Sequence, residues 1–579
     1  MKSIVANLIR NALADMPELA DAACDLSIDG SIERTRDPSH GDFASNVAMR
    51  LAKPARKPPR ELAERIVARI GASDDLDGID VAGPGFINFR LSPAVLHREV
   101  AAILDHGAGY GRQAPKTAPR ILLEFVSANP TGPLHVGHGR HAAFGATLGN
   151  LLDAAGYPVS REYYVNDAGR QMDILGVSVW LRWLEIRGTA IGFPEAGYRG
   201  DYIRDIAQSI DTAGVPVSDA ASVTAGIPQD DPEAEIGALI RRAGELLGDD
   251  VFGRIRQQAL ESIRADIEED LAEFGVSFDR WYSEQSLTSS GRIAAALAVL
   301  EERGMLYRKD GATWFRATDF GDEKDRVVVR NNGATTYFAS DIAYHFDKRE
   351  RGYDLLIDIL GADHHGYLAR VRAGLAAMGY AADDLEVHLV QFVALYRAGK
   401  RVQMSTRSGK FDTLRQLREE VGNDAARFFY VSRSHEAHLD FDLDVAKSES
   451  SDNPVYYIQY AHARIASVFR QLAERSLVWD QAAGRAGLAL LTEPQESALI
   501  AALTRYPEIL ELAATNRAPQ HLVHYLRDLA NDFHTYYNAH AFIVDDAGLR
   551  DARLTLITAA RIVIANGLAI LGVSAPETM

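Results

Sequence analysis

The chain has 579 residues, 47% of them hydrophobic, with one cysteine and a formal net charge of −18. This length predicts several domain-sized units. A single cysteine, Cys24, excludes a disulfide framework and a cysteine-based zinc site, and it indicates a cytoplasmic protein. No apolar run approaches the roughly 18 residues of a membrane span. The acidic balance neither favours nor excludes a nucleic-acid partner, because binding depends on local basic patches.

Residues 1–115 have the pattern of a small α/β module. An amphipathic N-terminal helix is predicted, followed by a turn-rich segment at 37–42 and a helix from Phe43 to about Ala52. A short strand is predicted at Phe86–Phe89. Before this strand, five basic residues occur within eleven positions without an acid among them: Arg50, Lys53, Arg56, Lys57 and Arg60. They indicate either a solvated loop or contact with an RNA backbone.

The stretch Ile121–Arg140 organises the rest of the chain. It begins as a strand of buried type and is interrupted by Pro130, Gly132 and Pro133. A helix follows that stops at Gly156. Such a strand, turn and helix N-terminus form an anion site, because free backbone N–H groups and the positive end of the helix dipole converge there.

Two histidines and a glycine occupy the first turn of that helix. His135 and His138 are three residues apart and therefore share one face, and Gly137 allows a flat ligand to approach the backbone. This arrangement favours a nucleotide triphosphate. The alternative is that the two histidines only cap the helix.

The sequence from Ser127 to Arg140, S-A-N-P-T-G-P-L-H-V-G-H-G-R, resembles the first signature of the class I aminoacyl-tRNA synthetases in its arginyl form. Residues 403–410 (QMSTRSGK) are similar to an altered second signature. The resemblance covers nearly the whole chain. It implies a Rossmann-like α/β catalytic core with an N-terminal α/β additional domain and a C-terminal all-α helical bundle.

The same resemblance implies three domains. Residues 1–115 would be an additional domain that contacts tRNA, with Phe86 and Asn88 near a base of the D-loop; the alternative for Phe86 is a buried structural role. Residues 116–445 would be the Rossmann-fold catalytic domain, interrupted at about 172–270 by a helical connective insertion without reaction chemistry. The turn Tyr198–Tyr202 in that insertion is interpreted as structural, with contact to the acceptor stem of the tRNA as the alternative. Residues 446–579 would be the anticodon-binding domain.

A pocket for an arginine side chain is predicted around residues 335–344. A guanidinium group offers five donors in a plane, so its site needs a carboxylate and an aromatic wall. Tyr337 and Asp341 are four residues apart, on one face of a helix, and the resemblance makes them guanidinium ligands with Glu124 as a second carboxylate. It assigns Ser127 and Asn129 to the amino and carboxylate groups of the substrate.

The remaining nucleotide contacts are predicted after a second strand, Leu355–Leu360, and in the altered second signature. The resemblance implies that His135 and His138 act catalytically at the α-phosphate. The second signature lacks the lysines of the class pattern, so Arg407 or Lys410 would supply the missing charge. The other ATP contacts are implied at Gly137, Gly361, Asp363, His364, Met404 and Ser405. We expect no protein metal site, and Mg²⁺ would arrive with ATP.

From Asn453 onward the sequence has a 3.6-residue periodicity and predicts a helical bundle. Aromatic and basic residues recur in it, and outward-facing rings would stack on unpaired anticodon bases. The predicted contacts are Tyr460, Arg464 and Tyr537.

The implied function is ATP-dependent attachment of L-arginine to tRNA(Arg) through arginyl-adenylate, giving arginyl-tRNA, AMP and pyrophosphate. Two alternatives are a non-catalytic tRNA-binding paralogue and a nucleotidyltransferase of the His-x-Gly-His type. We expect a cytoplasmic monomer without a membrane or DNA partner, whose activation of arginine could require bound tRNA.

Overall fold

A computed structural model describes residues 1–19, 26–35, 37–211, 213–362, 367–402 and 413–579. The N-terminal part is an antiparallel four-stranded sheet, in the order β1-β2-β4-β3, packed against helices. Its elements are α1 (Lys2–Ala14), β1 (Ile32–Arg34), β2 (Phe43–Ser45), α2 (Val47–Ala55), α3 (Pro59–Ile70), β3 (Leu76–Ala82), β4 (Phe86–Leu91) and α4 (Pro93–His106).

The helix expected from Phe43 begins later than predicted. Residues 43–45 instead form the strand β2, which pairs with both β1 and β4. Phe43 and Ser45 are buried with alternate side chains inward, a period of two that three residues are too short to reveal in the sequence. The tertiary pairing therefore decides the structure here.

The middle part contains the central sheet and its helices. Its elements in chain order are β5 (Ile121–Glu124), α5 (Val136–Ala154), β6 (Val159–Val165), α6 (Arg170–Ile186), α7 (Asp201–Ser209), α8 (Ala220–Thr224), α9 (Pro232–Glu273), β7 (Arg280–Ser283), α10 (Glu284–Ser289), α11 (Arg292–Glu302), β8 (Leu306–Lys309), β9 (Ala312–Phe315), β10 (Arg326–Val329), α12 (Tyr337–Glu350), β11 (Leu355–Gly361), α13 (Tyr367–Ala377) and β12 (Leu385–Val390).

Five of these strands form a parallel sheet in the order β12-β11-β5-β6-β7. The chain starts at the centre with β5, moves outward through β6 and β7, and then returns to the other side of β5. The carboxyl end of β5 is thus the topological switch point, where an open α/β sheet binds its ligand. All four β5 residues are buried, as expected for a strand covered on both faces.

Two smaller features accompany this sheet. Helices α6–α9 lie between β6 and β7, where the helical insertion is predicted, and Gly248, with φ 73°, joins two helical halves within α9. Strands β8–β10 form a separate antiparallel sheet.

The last part is almost entirely helical, as predicted. A three-stranded sheet in the order β14-β13-β15 connects it to the central sheet. Its elements are β13 (Val393–Arg397), β14 (Lys400–Arg401), α14 (Leu414–Val421), α15 (Asn423–Val431), β15 (Leu439–Asp442), α16 (Leu443–Lys447), α17 (Pro454–Glu474), α18 (Gln481–Ala486), α19 (Pro494–Leu503), α20 (Tyr506–Thr515), α21 (Gln520–Ala539) and α22 (Ala547–Leu571).

The hydrophobic interior joins the central sheet, the insertion and the helical bundle into one continuous core, whereas residues 5–95 contain a core of their own. Across the surface, Arg34 of β1 makes a bidentate ion pair with Glu508 of α20, both N···O distances being 3.0 Å. Among the described residues, the helix α22 is long and apolar enough to span a membrane by length and composition, but 67% of its most apolar window is buried in the protein.

Candidate active site

The chain leaves β5 through a strained turn. Val126 and Ser127 have φ angles of 67° and 41°, which residues other than glycine rarely adopt, and β-branched valine least of all. Ser127 Oγ donates to Glu124 (2.9 Å) and accepts from the backbone N–H of Tyr164 (3.1 Å). Tyr163 Oη donates to the carbonyl of Ala128 (2.9 Å). Hydrogen bonds from β6 therefore hold the turn in a conformation typical of functional sites.

His135 is the N-cap of α5, and the two histidines form a reciprocal capping box. His135 Nδ1 accepts from the N–H groups of Gly137 (3.0 Å) and His138 (3.3 Å), while His138 Nδ1 accepts from the N–H of His135 (3.3 Å). The first-turn N–H groups of Gly137 and His138 are thus already bonded, contrary to the expectation that they are free. A Cβ on Gly137 would lie 2.8 Å from His135 Cε1, so this position must be glycine for the cap to form.

The same bonds determine the state of both imidazoles. Their rings stack with centroids 3.5 Å apart. Burial lowers the pKa of His135, and burial together with His135 and His141 lowers the pKa of His138 well below its usual value. Because each Nδ1 accepts a hydrogen bond, each neutral ring carries its proton on Nε2. The pair is therefore two neutral N–H donors at the switch point.

Distant segments converge on the start of α5. Tyr430 Oη donates to the carbonyl of Val136 (2.7 Å), and the buried Arg140 donates to the carbonyls of Gln391, Ser434 and Ala437. Thr413 forms a β-bridge with His135. The chain immediately after the altered second signature thus contacts the first. The predicted residues Asp363, His364, Met404, Ser405, Arg407 and Lys410 lie outside the described residues.

Three buried acids lie side by side on the central sheet. Asp358 of β11 and Glu162 of β6 flank Glu124 of β5 in register. Neighbours in register on parallel strands present their side chains on the same face. Three carboxylates this close require cations beside them, because isolated buried charges are very unfavourable.

Helix α12 supplies those cations. Lys348 Nζ contacts Glu124 Oε2 (2.5 Å) and Asp358 Oδ1 (2.8 Å), and Arg351, at the C-cap of α12, contacts both oxygens of Glu162 (2.5 and 2.9 Å). Burial alone would lower the pKa of Lys348, but its attraction to Asp358, Glu124 and Glu162 outweighs burial and raises it. The sequence does not reveal this network.

The first turn of α12 extends toward the site at the carboxyl edge of the sheet. Thr336 caps the helix, so Tyr337 and Asp341 lie in successive turns, as predicted. The ring of Tyr337 is 69% exposed, and its hydroxyl lies 3.6 Å from the position that a Cβ would take on Gly169. The side chain of Tyr337 is therefore accessible to a ligand at this edge of the sheet.

Asp341 belongs to a cluster of acids that sequence analysis missed. Burial first, and then repulsion from Asp167 and Asp341, raises the pKa of Glu284 to about 7. The buried Oε2 atom of Glu284 has no hydrogen-bond partner among the described residues. A cation with several donors would satisfy this oxygen. The only signal in the sequence is that Glu284 directly follows a strand.

The other residues predicted to bind arginine already form hydrogen bonds within the protein. Glu124 is bonded to Lys348 and Ser127, although a carboxylate can accept about four hydrogen bonds. The carbonyl oxygen of the Asn129 side chain accepts from Asn166 (2.9 Å), which leaves its NH₂ group for a ligand.

The predicted RNA contacts form two surface groups. In β4, residues 87, 89 and 91 are buried, so Phe86, Asn88 and Arg90 share the outer face. In the bundle, the guanidinium of Arg464 lies between two rings, 4.5 Å from the centroid of Tyr460 and 4.6 Å from that of Tyr537. The structure therefore brings the three predicted bundle residues together.

A parallel sheet of this order, with a His-x-Gly-His helix start at its switch point, defines the catalytic core of a class I aminoacyl-tRNA synthetase. A family model described as "tRNA synthetases class I (R), catalytic domain" matches residues 99–436. Models for the arginyl tRNA synthetase N terminal domain and the DALR anticodon binding domain match residues 3–91 and 458–579.

The chain belongs to the arginyl-tRNA synthetase family. It is 57% identical to the arginine–tRNA ligase of Thioalkalivibrio sulfidiphilus and 55% identical to that of Legionella pneumophila, with 100% of each chain covered. A putative arginyl-tRNA synthetase structure from Campylobacter jejuni superimposes with a TM-score of 0.73 at 32% identity, over 84% of this chain and all of that one. The arginyl-tRNA synthetase of Thermus thermophilus, at 24% identity, has the same fold over the full length of both chains (TM-score 0.74). The family and the fold class predicted from the sequence are confirmed.

Proposed function

We propose that this chain attaches L-arginine to tRNA(Arg) in two ATP-dependent steps, with arginyl-adenylate as the intermediate. The single observation that carries the proposal is the conjunction of two sites at the same sheet edge. One is the pair of neutral histidines at the start of α5, and the other is the acidic cluster around Asp341. The first suits a phosphate and the second suits a guanidinium.

The chemical step needs positioning and charge stabilisation, because the arginine carboxylate attacks the α-phosphorus directly and pyrophosphate leaves. His135 and His138 would donate from Nε2 to the phosphoryl oxygens, where charge develops. Neutral donors suit this task since they stay protonated on Nε2 throughout the physiological pH range. Arg407 and Lys410 are proposed as the cations for the pyrophosphate, and Gly137, Gly361, Asp363, His364, Met404 and Ser405 as further ATP contacts.

Arginine selectivity would arise from the carboxylates. Asp341 and the unpaired Oε2 of Glu284 are proposed to receive the guanidinium, with the exposed ring of Tyr337 as its wall. Glu124 would contribute through its remaining acceptor capacity, and Ser127 and Asn129 would bind the other end of the substrate. A neutral analogue leaves buried carboxylates unpaired, which costs a factor of about 10⁴ or more in selectivity.

Transfer of arginine requires the tRNA to contact both ends of the protein. We propose that Phe86 and Asn88 contact the body of the tRNA, and that Tyr460, Arg464 and Tyr537 stack on anticodon bases. The proposed domain limits are 1–115, 116–445 with the insertion at about 172–270, and 446–579. The enzyme is proposed to act as a cytoplasmic monomer on Mg²⁺-bound ATP.

Arginine-dependent exchange between ATP and pyrophosphate, measured with and without tRNA(Arg), tests this proposal. Wild-type protein should show exchange, and Asp341→Asn should lose at least 99% of it while its affinity for tRNA(Arg) stays within twofold. The matched control is Asp383→Asn, an exposed aspartate at the amino edge of the sheet, which should behave as wild type.

The outcomes separate the alternatives. Exchange only in the presence of tRNA indicates that the RNA completes the site. Absence of exchange under both conditions would favour a non-catalytic tRNA-binding paralogue. Unchanged arginine kinetics in Asp341→Asn would refute the pocket assignment while leaving the reaction in place.

A further inference from the structure

A tyrosine of the helical insertion contacts residues 129–134, the turn between β5 and α5 that we call the nucleotide turn. Tyr202 is the second residue of α7, and its hydroxyl donates to the backbone carbonyl of Thr131 (2.7 Å). Tyr202 therefore holds one residue of the 129–134 turn, about 70 positions earlier in the chain.

Two glycines make room for the Tyr202 side chain. A Cβ on Gly200 would lie 2.3 Å from Tyr202 Cε1, and a Cβ on Gly132 would lie 2.8 Å from Tyr202 Oη. Any other residue at either position would force the ring to move. The packing of the Tyr202 side chain therefore requires glycine at both position 200 and position 132.

The hydroxyl is suited to a permanent role as a donor. Burial raises the pKa of Tyr202, so the hydroxyl stays protonated at every pH at which the enzyme works. The acceptor, Thr131 O, belongs to a turn without regular secondary structure between β5 and α5. An external hydrogen bond has most influence on such a segment, because no helix or strand bonds fix its carbonyls.

We infer that Tyr202 is a positioning residue for ATP: it fixes the turn 129–134 so that His135 and His138 meet the nucleotide in the reactive geometry. The insertion thus acts on the reaction through this turn. This inference rests on the proposed ATP site at the start of α5. It replaces the interpretation of residues 198–202 as a purely structural turn.

The test is ATP–pyrophosphate exchange by Tyr202→Phe in the presence of tRNA(Arg). Loss of a neutral hydrogen bond typically changes an equilibrium about two- to tenfold. We expect KM for ATP to rise about two- to tenfold while KM for arginine stays within a factor of two. The matched control is Tyr525→Phe, which removes a tyrosine hydroxyl that donates to a backbone carbonyl, Ala502 O, at 3.1 Å in the helical bundle. It should change Tm as much as Tyr202→Phe and leave both KM values unaltered.

A double-mutant cycle with Gly132→Ala provides a second measurement. The added methyl group should displace the Tyr202 hydroxyl and raise KM for ATP. In the Tyr202→Phe background its effect should be smaller, because both substitutions break one contact. Effects that multiply in the double variant would overturn the inference, as would a Tyr202→Phe enzyme with the KM values of Tyr525→Phe. A wild-type enzyme without arginine-dependent exchange would instead refute the proposed function.

Discussion

Replacing Glu284 with glutamine should make the free enzyme more stable and less able to bind arginine. Burial and the nearby Asp167 and Asp341 raise the pKa of Glu284 from 4.5 to about 7. The folded state therefore binds the proton of the Glu284 carboxyl group more tightly than the unfolded state does. This shift does not change the free energy of unfolding below pH 4.5. The free energy of unfolding falls as the pH rises from there, and above pH 7 it is lowered by the whole energy that corresponds to the pKa shift.

The size of this effect follows from the shift in pKa. A raise from 4.5 to about 7 corresponds to about 3 kcal/mol, at about 1.4 kcal/mol for each pKa unit. Glutamine has nearly the same shape and does not ionise. The stability advantage of Glu284→Gln over wild type should therefore grow by about 2–3 kcal/mol between pH 5 and pH 8.

Urea unfolding at several pH values measures this advantage, and exchange kinetics measure arginine binding. In wild type, KM for arginine should fall as the pH rises through 7, because ionised Glu284 can pair with the guanidinium. In Glu284→Gln that dependence should disappear and KM should be higher at pH 8. The control is the exposed Glu301→Gln on α11, for which neither quantity should change.

Two results would refute this reasoning. A stability difference between wild type and Glu284→Gln that is constant from pH 5 to pH 8 would mean that Glu284 does not titrate in this range. An unchanged KM for arginine at pH 8 would mean that the unpaired Oε2 atom does not face the substrate.

Two further predictions concern the cations of α12 and the bundle. Lys348→Met leaves Glu124 and Asp358 buried without their shared cation, so it should destabilise the protein by about 3–5 kcal/mol in urea unfolding; an effect no larger than that of the exposed Lys309→Met would contradict this. Arg464→Ala removes the cation between Tyr460 and Tyr537 and should raise KM for tRNA(Arg) about tenfold with KM for ATP and arginine unchanged. If the exposed Arg475→Ala raised KM for tRNA equally, the effect would reflect the loss of one positive charge and not the contact of Arg464 with the two rings.

Sequence alone determined the features that depend on neighbouring residues. The strand at Ile121, the Gly/Pro turn and the helix from Val136 are confirmed, because buried runs, turn residues and stop signals act over a few positions. The spacing of Tyr337 and Asp341 is likewise a local property of one helix. The class signature at residues 127–140 also consists of neighbouring residues, so its resemblance identified the family from the sequence alone.

Tertiary structure alone decided the charge arrangement and the supports of the site. Glu124, Glu162 and Asp358 become neighbours only when three strands pair in register, and Lys348 reaches them from a helix more than 200 residues beyond Glu124. Burial and the acids of other elements together raise the pKa of Glu284, and Tyr202 of the insertion donates a hydrogen bond to Thr131. Burial and electrostatic coupling depend on distance in space, and a single sequence does not contain the pairing that sets those distances.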